Sequence, residues 1–277
     1  MHDLLRINRK ISLVSMFNFL LIFSILFFSI LFEPYNLQVK EASFDLFPGE
    51  GSPVNIVLIS DIQEAYQHPD YFQRVIKTIN SHDPDLVLIA GDHVERMGDD
   101  WEKLDLLKDI QSKHGVYAIL GNHDYAYLGC RGGNCSDKVE THIKALGIDV
   151  LRNENRNLEI NGRRFSLIGV DELYVRNNNY TKASEGTEPP LIVLVHNQMA
   201  VANEKIEQPA LILSGHTHCS QIKIPFVSEF FFSATGAAKV LGGKGTFEDS
   251  QIYVSCGVTP GYMRFLAPPE INVIKID

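Results

Sequence analysis

Five short apolar runs, each ending in polar residues, constrain the fold of this chain more than any other feature of its sequence. The runs are rich in Val, Ile and Leu, and they occupy residues 54–60, 86–90, 116–120, 191–195 and 210–213. Runs of this length and composition are typical of strands that are buried on both faces. They therefore predict a sheet that is covered on both sides.

The segments between the early runs have the spacing of helices. Apolar residues recur at helical intervals over 71–81, 101–111 and 137–146. Later stretches lose this periodicity and predict further strands with turns, at 157–170, 222–232 and 251–274. Strand–helix alternation of this kind indicates an α/β core. The predicted architecture is a layered sandwich of sheets flanked by helices.

The polar residues that end the runs are metal-binding types. In α/β sheets, loops that follow the carboxyl ends of strands converge over one edge and form sites there. Carboxylate and amide oxygens mixed with imidazoles suit Mn, Fe or Zn. Eight groups are too many for one ion and about right for two ions that share a carboxylate. The eight residues are Asp61, Gln63, Asp92, Asn122, His123, His196, His216 and His218.

The charge of the chain excludes one broad class of function. The 277 residues carry a formal net charge of −9, and the basic residues are scattered rather than gathered in a stripe. Proteins that bind nucleic acid by neutralising its phosphates need the opposite charge balance, so we expect no nucleic-acid partner. No Pro-, Gly- or Ser-rich linker divides the chain after its N-terminal segment, which indicates one catalytic domain.

Residues 11–32 form an apolar run without a charged side chain. At about 1.5 Å per residue, a helix of this length spans the hydrocarbon core of a bilayer, which is about 30 Å thick. Arg6, Arg9 and Lys10 precede the run and Glu33 follows it, so the positive-inside rule places the N-terminus in the cytoplasm. The run lacks the small-x-small cleavage site of a signal peptide. We therefore predict an uncleaved single-pass anchor with the catalytic domain on the extracytoplasmic side.

These features predict four consecutive parts of the chain. They are a cytoplasmic N-terminus at 1–10, a transmembrane anchor at 11–32, a tether at 33–52 and the catalytic domain at 53–277.

Three motifs carry a family resemblance. Gly91-Asp92, Gly121-Asn122-His123-Asp124 and Gly215-His216-Thr217-His218, in this order and at these separations, resemble the calcineurin-like metallophosphoesterases. Segments 115–125, 214–226 and 264–270 are similar to a bacterial, often membrane-associated branch. That branch includes phosphodiesterases and enzymes similar to UDP-2,3-diacylglucosamine pyrophosphatase. The resemblance covers residues 54–275 and implies an α/β/β/α sandwich.

The resemblance also implies a role for each donor. One metal ion would be held by Asp61, Gln63, Asp92 and His218. A second would be held by Asp92, Asn122, His196 and His216, so that the Asp92 carboxylate bridges both. His123 matches the catalytic histidine of the family, which lies beside the substrate and is not a metal ligand. Two cations about 3.5–4 Å apart would clamp the phosphate and activate a water as hydroxide, while His123 protonates the leaving oxygen or stabilises transition-state charge.

The chain departs from the family pattern at three positions. Gln63 stands where the family usually has histidine, and a similar Asp-x-Gln occurs in manganese-dependent ADP-ribose and CDP-alcohol diphosphatases, so manganese is favoured. Glu95 stands where the family often has an aspartate that orients the catalytic histidine, which predicts the same role for Glu95 through a longer arm. Cys219 follows the last motif where this branch commonly has glycine.

The function expected from these observations is hydrolysis of a phosphodiester or pyrophosphate bond by a two-metal centre. A phospholipid or a nucleotide-linked lipid is a candidate substrate, because the anchor places the domain at a membrane. Two alternatives stay open. Asp61-Ile62-Gln63 alone suggests a soluble nucleotide diphosphate such as ADP-ribose, and a catalytically silent metal-binding scaffold is the other possibility.

Four details of the sequence leave two interpretations open. Cys130 and Cys135 could close a small disulfide loop, or the thiols could be free. Glu95 could orient His123 or be an ordinary solvated acid. His93 is undecided because it lies next to Asp92. Residues 226–232, FVSEFFF, could be a membrane-facing patch, but buried strand packing is the favoured interpretation.

Overall fold

The computed structural model describes residues 2–47, 51–95, 101–125 and 135–277. Within these ranges the strands form two six-stranded sheets. The order of the first sheet is β1-β12-β2-β3-β4-β5, with β1 Gln38–Phe44, β2 Val54–Ile59, β3 Leu86–Ala90, β4 Val116–Ile119, β5 Asp149–Val150 and β12 Glu270–Ile276. The order of the second is β10-β11-β9-β8-β7-β6, with β6 Glu154–Ile160, β7 Arg163–Gly169, β8 Leu191–Val195, β9 Ala210–Ser214, β10 Gly243–Phe247 and β11 Ser250–Val254.

Parallel pairing gives each sheet one edge at which several strands end. In the first sheet β2, β3, β4 and β5 run parallel, while β12 is antiparallel to β2. In the second sheet β7, β8, β9 and β11 run parallel, and the outer strands β6 and β10 are antiparallel to their neighbours. The predicted strands at 157–170 and 251–274 are therefore present as parts of this sheet pair.

The helices cover the outer faces of the sheets or lie outside the sandwich. The α-helices are α1 His2–Leu31, α2 Pro69–Ser81, α3 Cys135–Ala145, α4 Tyr180–Ala183 and α5 Val227–Thr235. The 3₁₀ turns are Glu33–Tyr35, Gln63–Gln67, Trp101–Asp109, Gln198–Val201 and His218–Ser220. The predicted helices at 71–81 and 137–146 correspond to α2 and α3, whereas the segment predicted at 101–111 is 3₁₀ rather than α-helical.

Three apolar layers explain why the central runs are buried on both faces. Leu58, Leu88 and Leu213 belong to the layer between the two sheets. A second layer packs the other face of the first sheet against α2, α3 and the 3₁₀ turn Trp101–Asp109. A third layer lies between the second sheet and α4 with the 3₁₀ turn Gln198–Val201. The predicted α/β/β/α sandwich is confirmed.

The predicted strand at 222–232 is wrong: its first half forms only an isolated bridge between Ile222 and Phe265, and its second half is helical. Residues Val227–Thr235 form α5, and Phe226, Phe230 and Phe231 are exposed rather than buried. An aromatic run of this length fits a strand or a helix equally well by composition. Gly236 ends α5 in the left-handed conformation that suits glycine.

The predicted tether at 33–52 is also incorrect for part of its length. β1 lies within it and pairs in parallel with β12 over its whole extent, from Gln38–Glu270 to Phe44–Ile276. The chain therefore enters the first sheet only a few residues after the apolar helix. The stretch Val14–Tyr35, which comprises most of α1 and the 3₁₀ turn that follows it, is long and apolar enough to cross a membrane.

Candidate metal centre

The predicted donors lie at one end of the sandwich, where the parallel strands of both sheets finish. Asp61 follows β2, Asp92 follows β3, and Asn122 with His123 follow β4. His196 follows β8, and His216 with His218 follow β9. Because the two sheets pack face to face, these carboxyl ends meet across the layer that separates the sheets. Donors that are up to 157 positions apart in sequence thereby become neighbours.

The carboxylates of the first sheet are held by backbone donors and are almost fully buried. Asp92 accepts the His123 backbone N–H at 2.9 Å, and Asp61 accepts the His216 backbone N–H at 3.2 Å. Both aspartates have positive φ, 53° for Asp61 and 56° for Asp92. Left-handed backbone is uncommon outside glycine and clusters at functional sites, where surrounding structure maintains the strain.

His196 connects the two sheets. Its Nδ1–H donates to the Ala90 carbonyl at the end of β3, at 2.7 Å. This bond fixes Nδ1 as the nitrogen that donates to the backbone, so Nε2 is the ring atom that faces the centre, which is the arrangement that metal-binding histidines use. Nε2 lies 3.2 Å from an Asp92 carboxylate oxygen and 3.1 Å from the Asn122 side-chain oxygen.

His216 and His218 complete the second sheet's contribution. His216 Nδ1 lies 3.2 Å from His196 Nε2, and His218 Nε2 lies 3.4 Å from Asp61 Oδ1. Two lone pairs facing each other, or a lone pair facing a carboxylate oxygen, are repulsive unless a proton or a cation lies between them. The two residues have φ of 71° and 48°, so this loop shares the left-handed backbone of the aspartates.

The charges at the centre are strongly coupled. Burial raises the pKa of Asp92, but the charge of His196 and the hydrogen bond from it outweigh burial, and the net pKa lies below its usual range. Burial lowers the pKa of His196, and the Asp92 carboxylate reverses that effect and raises the pKa. For His216, burial and then the charge of His196 lower the pKa to about 4, so its imidazole is neutral and available as a ligand.

The residues fit divalent cations by two further observations. Asp61 Oδ1 and His218 Nδ1 are buried and have no hydrogen-bond partner, although buried polar atoms normally have one. Ligand atoms of Asp61, Asp92 and His196 lie within 4.8 Å of one another. A mixed oxygen and imidazole set of this kind suits Mn, Fe or Zn.

One glycine shows how closely the backbone approaches this cluster. A Cβ on Gly121 would lie 2.2 Å from Asp92 Oδ1. No side chain can be accommodated at that distance, so the glycine of the GNHD motif is required by the space beside the Asp92 carboxylate.

Gln63 and His123 lie beside Asp92, and Glu95 lies beside His123. Gln63 Nε2 donates to Asp92 Oδ2 at 2.9 Å, and the same amide turned over would present its carbonyl oxygen. His123 Nε2 lies 4.0 Å from Asp92 Oδ2. His123 Nδ1 lies 3.3 Å from the Glu95 carboxylate and 3.2 Å from the Glu95 carbonyl. The structure thus brings Glu95 to His123, as its predicted role in orienting this histidine requires.

Asp124 of the GNHD motif has a structural role that the sequence analysis missed. Its carboxylate accepts the backbone N–H groups of His93, Val94 and Gly121, and it contacts His93 Nδ1 at 2.9 Å. Asp124 thereby ties the loop after β3 to the loop after β4. His93 is fully buried, and while its Nδ1 contacts the carboxylate that ties the loops, its Nε2 has no hydrogen-bond partner.

Tyr174 is a second residue that the analysis missed. Its hydroxyl lies 3.2 Å from His216 Nε2 and accepts a hydrogen bond from the Asn197 side-chain amide at 3.3 Å. The side chain is partly exposed beside the centre. Tyr174 lies in the loop after β7, so the rule that sites follow strand ends, applied to this strand too, would have indicated the loop.

Cys219 forms a disulfide with Cys256, a pairing that the sequence analysis did not consider. The bond joins the residue after His218 to the loop that follows β11. Cys219 has a φ of 50°, so it occupies the left-handed position for which glycine is common in the family branch. Cys130 lies outside the described residues, and the alternative posed for Cys130 and Cys135 is not tested.

Comparison with known proteins agrees with this geometry. The sequence model for calcineurin-like phosphoesterases matches residues 54–220, which include every predicted metal ligand. The chain belongs to the calcineurin-like phosphoesterase family. It is a metal-dependent hydrolase of phosphoesters, as the motifs predicted.

Three relatives illustrate the range of this family. The chain is 30% identical to the metallophosphoesterase YkuE of Bacillus subtilis, over 88% of this chain and 87% of that protein. It is 27% identical to the phosphodiesterase YaeI of Escherichia coli, over 88% and 90%. A zebrafish transmembrane protein with a metallophosphoesterase domain is 29% identical, over 88% of this chain and 58% of its own length. The apolar N-terminal helix and this last relative fit a membrane protein.

Proposed function

We propose that this metallophosphoesterase hydrolyses a phosphodiester or pyrophosphate bond at a centre of two divalent cations, manganese being favoured. Asp61, Gln63, Asp92 and His218 would hold one cation. Asp92, Asn122, His196 and His216 would hold the other. The observation that supports this most is the convergence of oxygen donors from the first sheet and imidazoles from the second around Asp92.

A cation pair in this position supplies Lewis-acid charge to the phosphoryl oxygens and a hydroxide nucleophile at neutral pH. The protein's own part is to position the substrate and to move one proton. His123 is partly exposed beside Asp92, where it can reach a leaving oxygen. Burial lowers the pKa of His123, but Asp92 and Glu95 outweigh burial and raise it, which keeps the imidazole protonated to higher pH. Glu95 would position this imidazole through Nδ1.

A lipid-linked substrate is the class favoured by the placement of the site. β1 starts just after the apolar helix and pairs with the start of β12, which in turn pairs with the end of β2. The edge that carries the donors is therefore the edge at which the helix enters the fold. A phospholipid or nucleotide-linked lipid in that membrane would lie close to the centre.

The extracytoplasmic side is supported by two independent observations. Positive residues precede the apolar run and an acidic residue follows it. The Cys219–Cys256 disulfide is the kind of bond that persists in oxidising compartments and is rare in the cytosol. A reporter fused to the C-terminus, active only outside the cytoplasm, tests this placement. A cytoplasmic result would favour hydrolysis of a lipid A precursor, which needs a cytoplasmic site.

One observation supports a second candidate. Gln63 lies in the centre in place of the usual histidine, as in the ADP-ribose type of diphosphatase. The two candidates differ in substrate, so parallel assays with ADP-ribose and with phospholipid or nucleotide-linked lipid substrates in micelles separate them. Faster turnover of ADP-ribose would favour the nucleotide alternative.

The site is tested by measuring hydrolysis of bis(p-nitrophenyl) phosphate by the full chain in detergent with Mn²⁺. We expect turnover by the wild type and near-complete loss in both Asp92→Ala and His123→Ala. Bound manganese, measured by elemental mass spectrometry, should fall in Asp92→Ala and stay unchanged in His123→Ala. Activity that survives both substitutions contradicts the site. Manganese binding without turnover of any phosphodiester or diphosphate would favour the scaffold alternative.

A further inference from the structure

An exposed apolar surface lies on the chain segments that follow the two disulfide-linked loops of the metal centre. It consists of residues on two segments, the start of α5 and the loop after Thr259: Phe226, Val227, Phe230, Phe231, Tyr262 and Leu266. Phe226 is 88% exposed, Phe230 74% and Tyr262 85%. Single exposed apolar side chains are ordinary, but a contiguous group of large ones marks an interaction surface. We refer to these six residues as the apolar surface.

The two segments of the apolar surface are fixed to each other. Lys223 N donates to Phe265 O and Phe265 N donates to Gln221 O, both at 2.8 Å, just before α5 begins. The loop after Thr259 is held from inside by Arg264, whose buried guanidinium donates to the carbonyls of Cys256, Thr259, Pro260 and Ala267. The apolar surface is thus presented by a braced backbone.

The apolar helix α1 ends on the same loop. Arg264 N donates to the carbonyl of Ser29 at 2.9 Å, and Ala267 N donates to the Glu33 carboxylate at 3.0 Å. Both acceptors belong to the stretch Val14–Tyr35, which is apolar enough to cross a membrane. Two hydrogen bonds therefore join the end of the span to the segment that carries Tyr262 and Leu266.

This junction sets the depth of the apolar surface. Ser29 precedes the end of the uncharged run at Phe32 by three residues, which is about 5 Å along a helix. The backbone of Arg264 consequently lies level with the last turn of the span. A segment at that level meets the boundary between acyl chains and headgroups, where tyrosine is enriched and where amphipathic elements bury phenylalanine.

We propose that the apolar surface inserts into the interfacial layer of the bilayer that holds α1. The occupant is the lipid bilayer rather than a protein, because the junction with α1 keeps the surface at the membrane regardless of any partner. The 3₁₀ turn that carries His218 leads within a few residues into the segment paired with Phe265. Insertion would therefore turn the metal centre toward the headgroups.

The test uses tryptophan reporters in the full chain, reconstituted at one copy per nanodisc so that a second copy cannot cover α5. Phe230→Trp and Phe231→Trp report on the apolar surface. Arg164→Trp is the matched control, because Arg164 is highly exposed at the start of β7, the opposite end of the sandwich from the metal centre. All of these proteins also contain the native Trp101. Its emission is measured in the wild type and subtracted from that of each variant.

Emission is compared in nanodiscs of phosphatidylcholine with and without bromine near the upper acyl chain, and then with acrylamide in the aqueous phase. For both reporters, we expect bromine to lower the emission of the added tryptophan by about twofold and acrylamide to quench it little. For the control, we expect acrylamide to quench the added tryptophan and bromine to leave it nearly unchanged. Insertion is overturned if both reporters behave like Arg164→Trp. The readout does not depend on turnover, so its result tests membrane insertion separately from the proposed phosphoesterase chemistry.

Discussion

The two sheets bring different chemistry to one centre. The first sheet supplies the carboxylates and amides of Asp61, Gln63, Asp92 and Asn122, and the second supplies three imidazoles. Carboxylates neutralise cation charge, whereas neutral imidazoles add donor strength without charge. The packing of the two sheets therefore assembles a site that neither sheet could form alone. The first sheet supplies the negative charge, and the second sheet supplies the softer nitrogen donors.

The sheets also secure their donors in different ways. Asp124 ties the loops of the first sheet with hydrogen bonds to three backbone N–H groups. The loop that carries His218 in the second sheet is tied by the covalent Cys219–Cys256 bond. The contrast indicates that the oxygen donors are preorganised by local hydrogen bonds, and the last imidazole by a distant cross-link. Substitutions on each side of the centre separate the contributions of these two halves.

The largest effect is expected from changing charge in the first sheet. Asp92→Asn should lower manganese affinity by more than about 100-fold, whereas His216→Ala from the second sheet should cost about 10-fold. The reason is that Asp92→Asn would remove a negative charge that both proposed cations share, whereas His216→Ala would remove one neutral donor. Titration with Mn²⁺ followed by elemental mass spectrometry measures both. Asp149→Asn, an ion-paired carboxylate away from the donors, is the control and should bind like the wild type.

Equal losses in Asp92→Asn and His216→Ala would show that the two sheets contribute equivalently. That result would refute the division of charge and donor strength between them.

The donors of both sheets could be predicted because their positions follow from short-range pattern. A Val/Ile/Leu run predicts a buried strand, and the residue types after it predict the chemistry. Asp61 and His196 were both predicted in this way, and the structure brings them together. Nothing in that reasoning required knowledge of how distant segments pair.

Features that depend on distant partners could not be predicted. β1 is half-exposed and becomes a strand by pairing with β12, far along the chain. The Cys219–Cys256 connectivity is a contact between loops, and spacing alone does not define it. The exposure of Phe230 depends on what lies against α5, which the aromatic run itself does not encode.

The next effect concerns the cross-link of the second sheet. The double substitution Cys219→Ser with Cys256→Ser should lower the free energy of unfolding by about 2–4 kcal/mol, because it removes a constraint on the unfolded chain. Chemical denaturation of the full chain in detergent measures this, and the wild type and the variant should unfold alike when both are reduced. Manganese affinity should fall as well, since the loop with His218 loses its tie. An unchanged unfolding midpoint would assign the stability of that loop to its hydrogen bonds instead.

A smaller effect is expected from replacing the amide donor Gln63, and it tests whether this side chain is a metal ligand. Gln63→His places an imidazole among the oxygens of the first sheet and makes the centre more nitrogen-rich. Because imidazole suits zinc better than an amide oxygen does, the ratio of zinc-supported to manganese-supported turnover should rise by about 10-fold. Gln63→Asn, which keeps the amide on a shorter arm, is the matched control. A ratio that does not move would mean that Gln63 is not a ligand.

The smallest expected effect tests Glu95 as the positioning residue for His123. The negative charge of Glu95 helps to raise the His123 pKa, so Glu95→Gln should lower that pKa. If protonated His123 donates to the leaving oxygen, turnover falls as pH rises through the pKa, and this basic limb should move to lower pH by about one unit or less. Glu159→Gln, an exposed acid on β6, should leave the profile unchanged. If Glu95→Gln lowers the rate but leaves the basic limb at the same pH, Glu95 only supports the loop. A purely structural role changes the amount of active enzyme and does not change the pKa of His123.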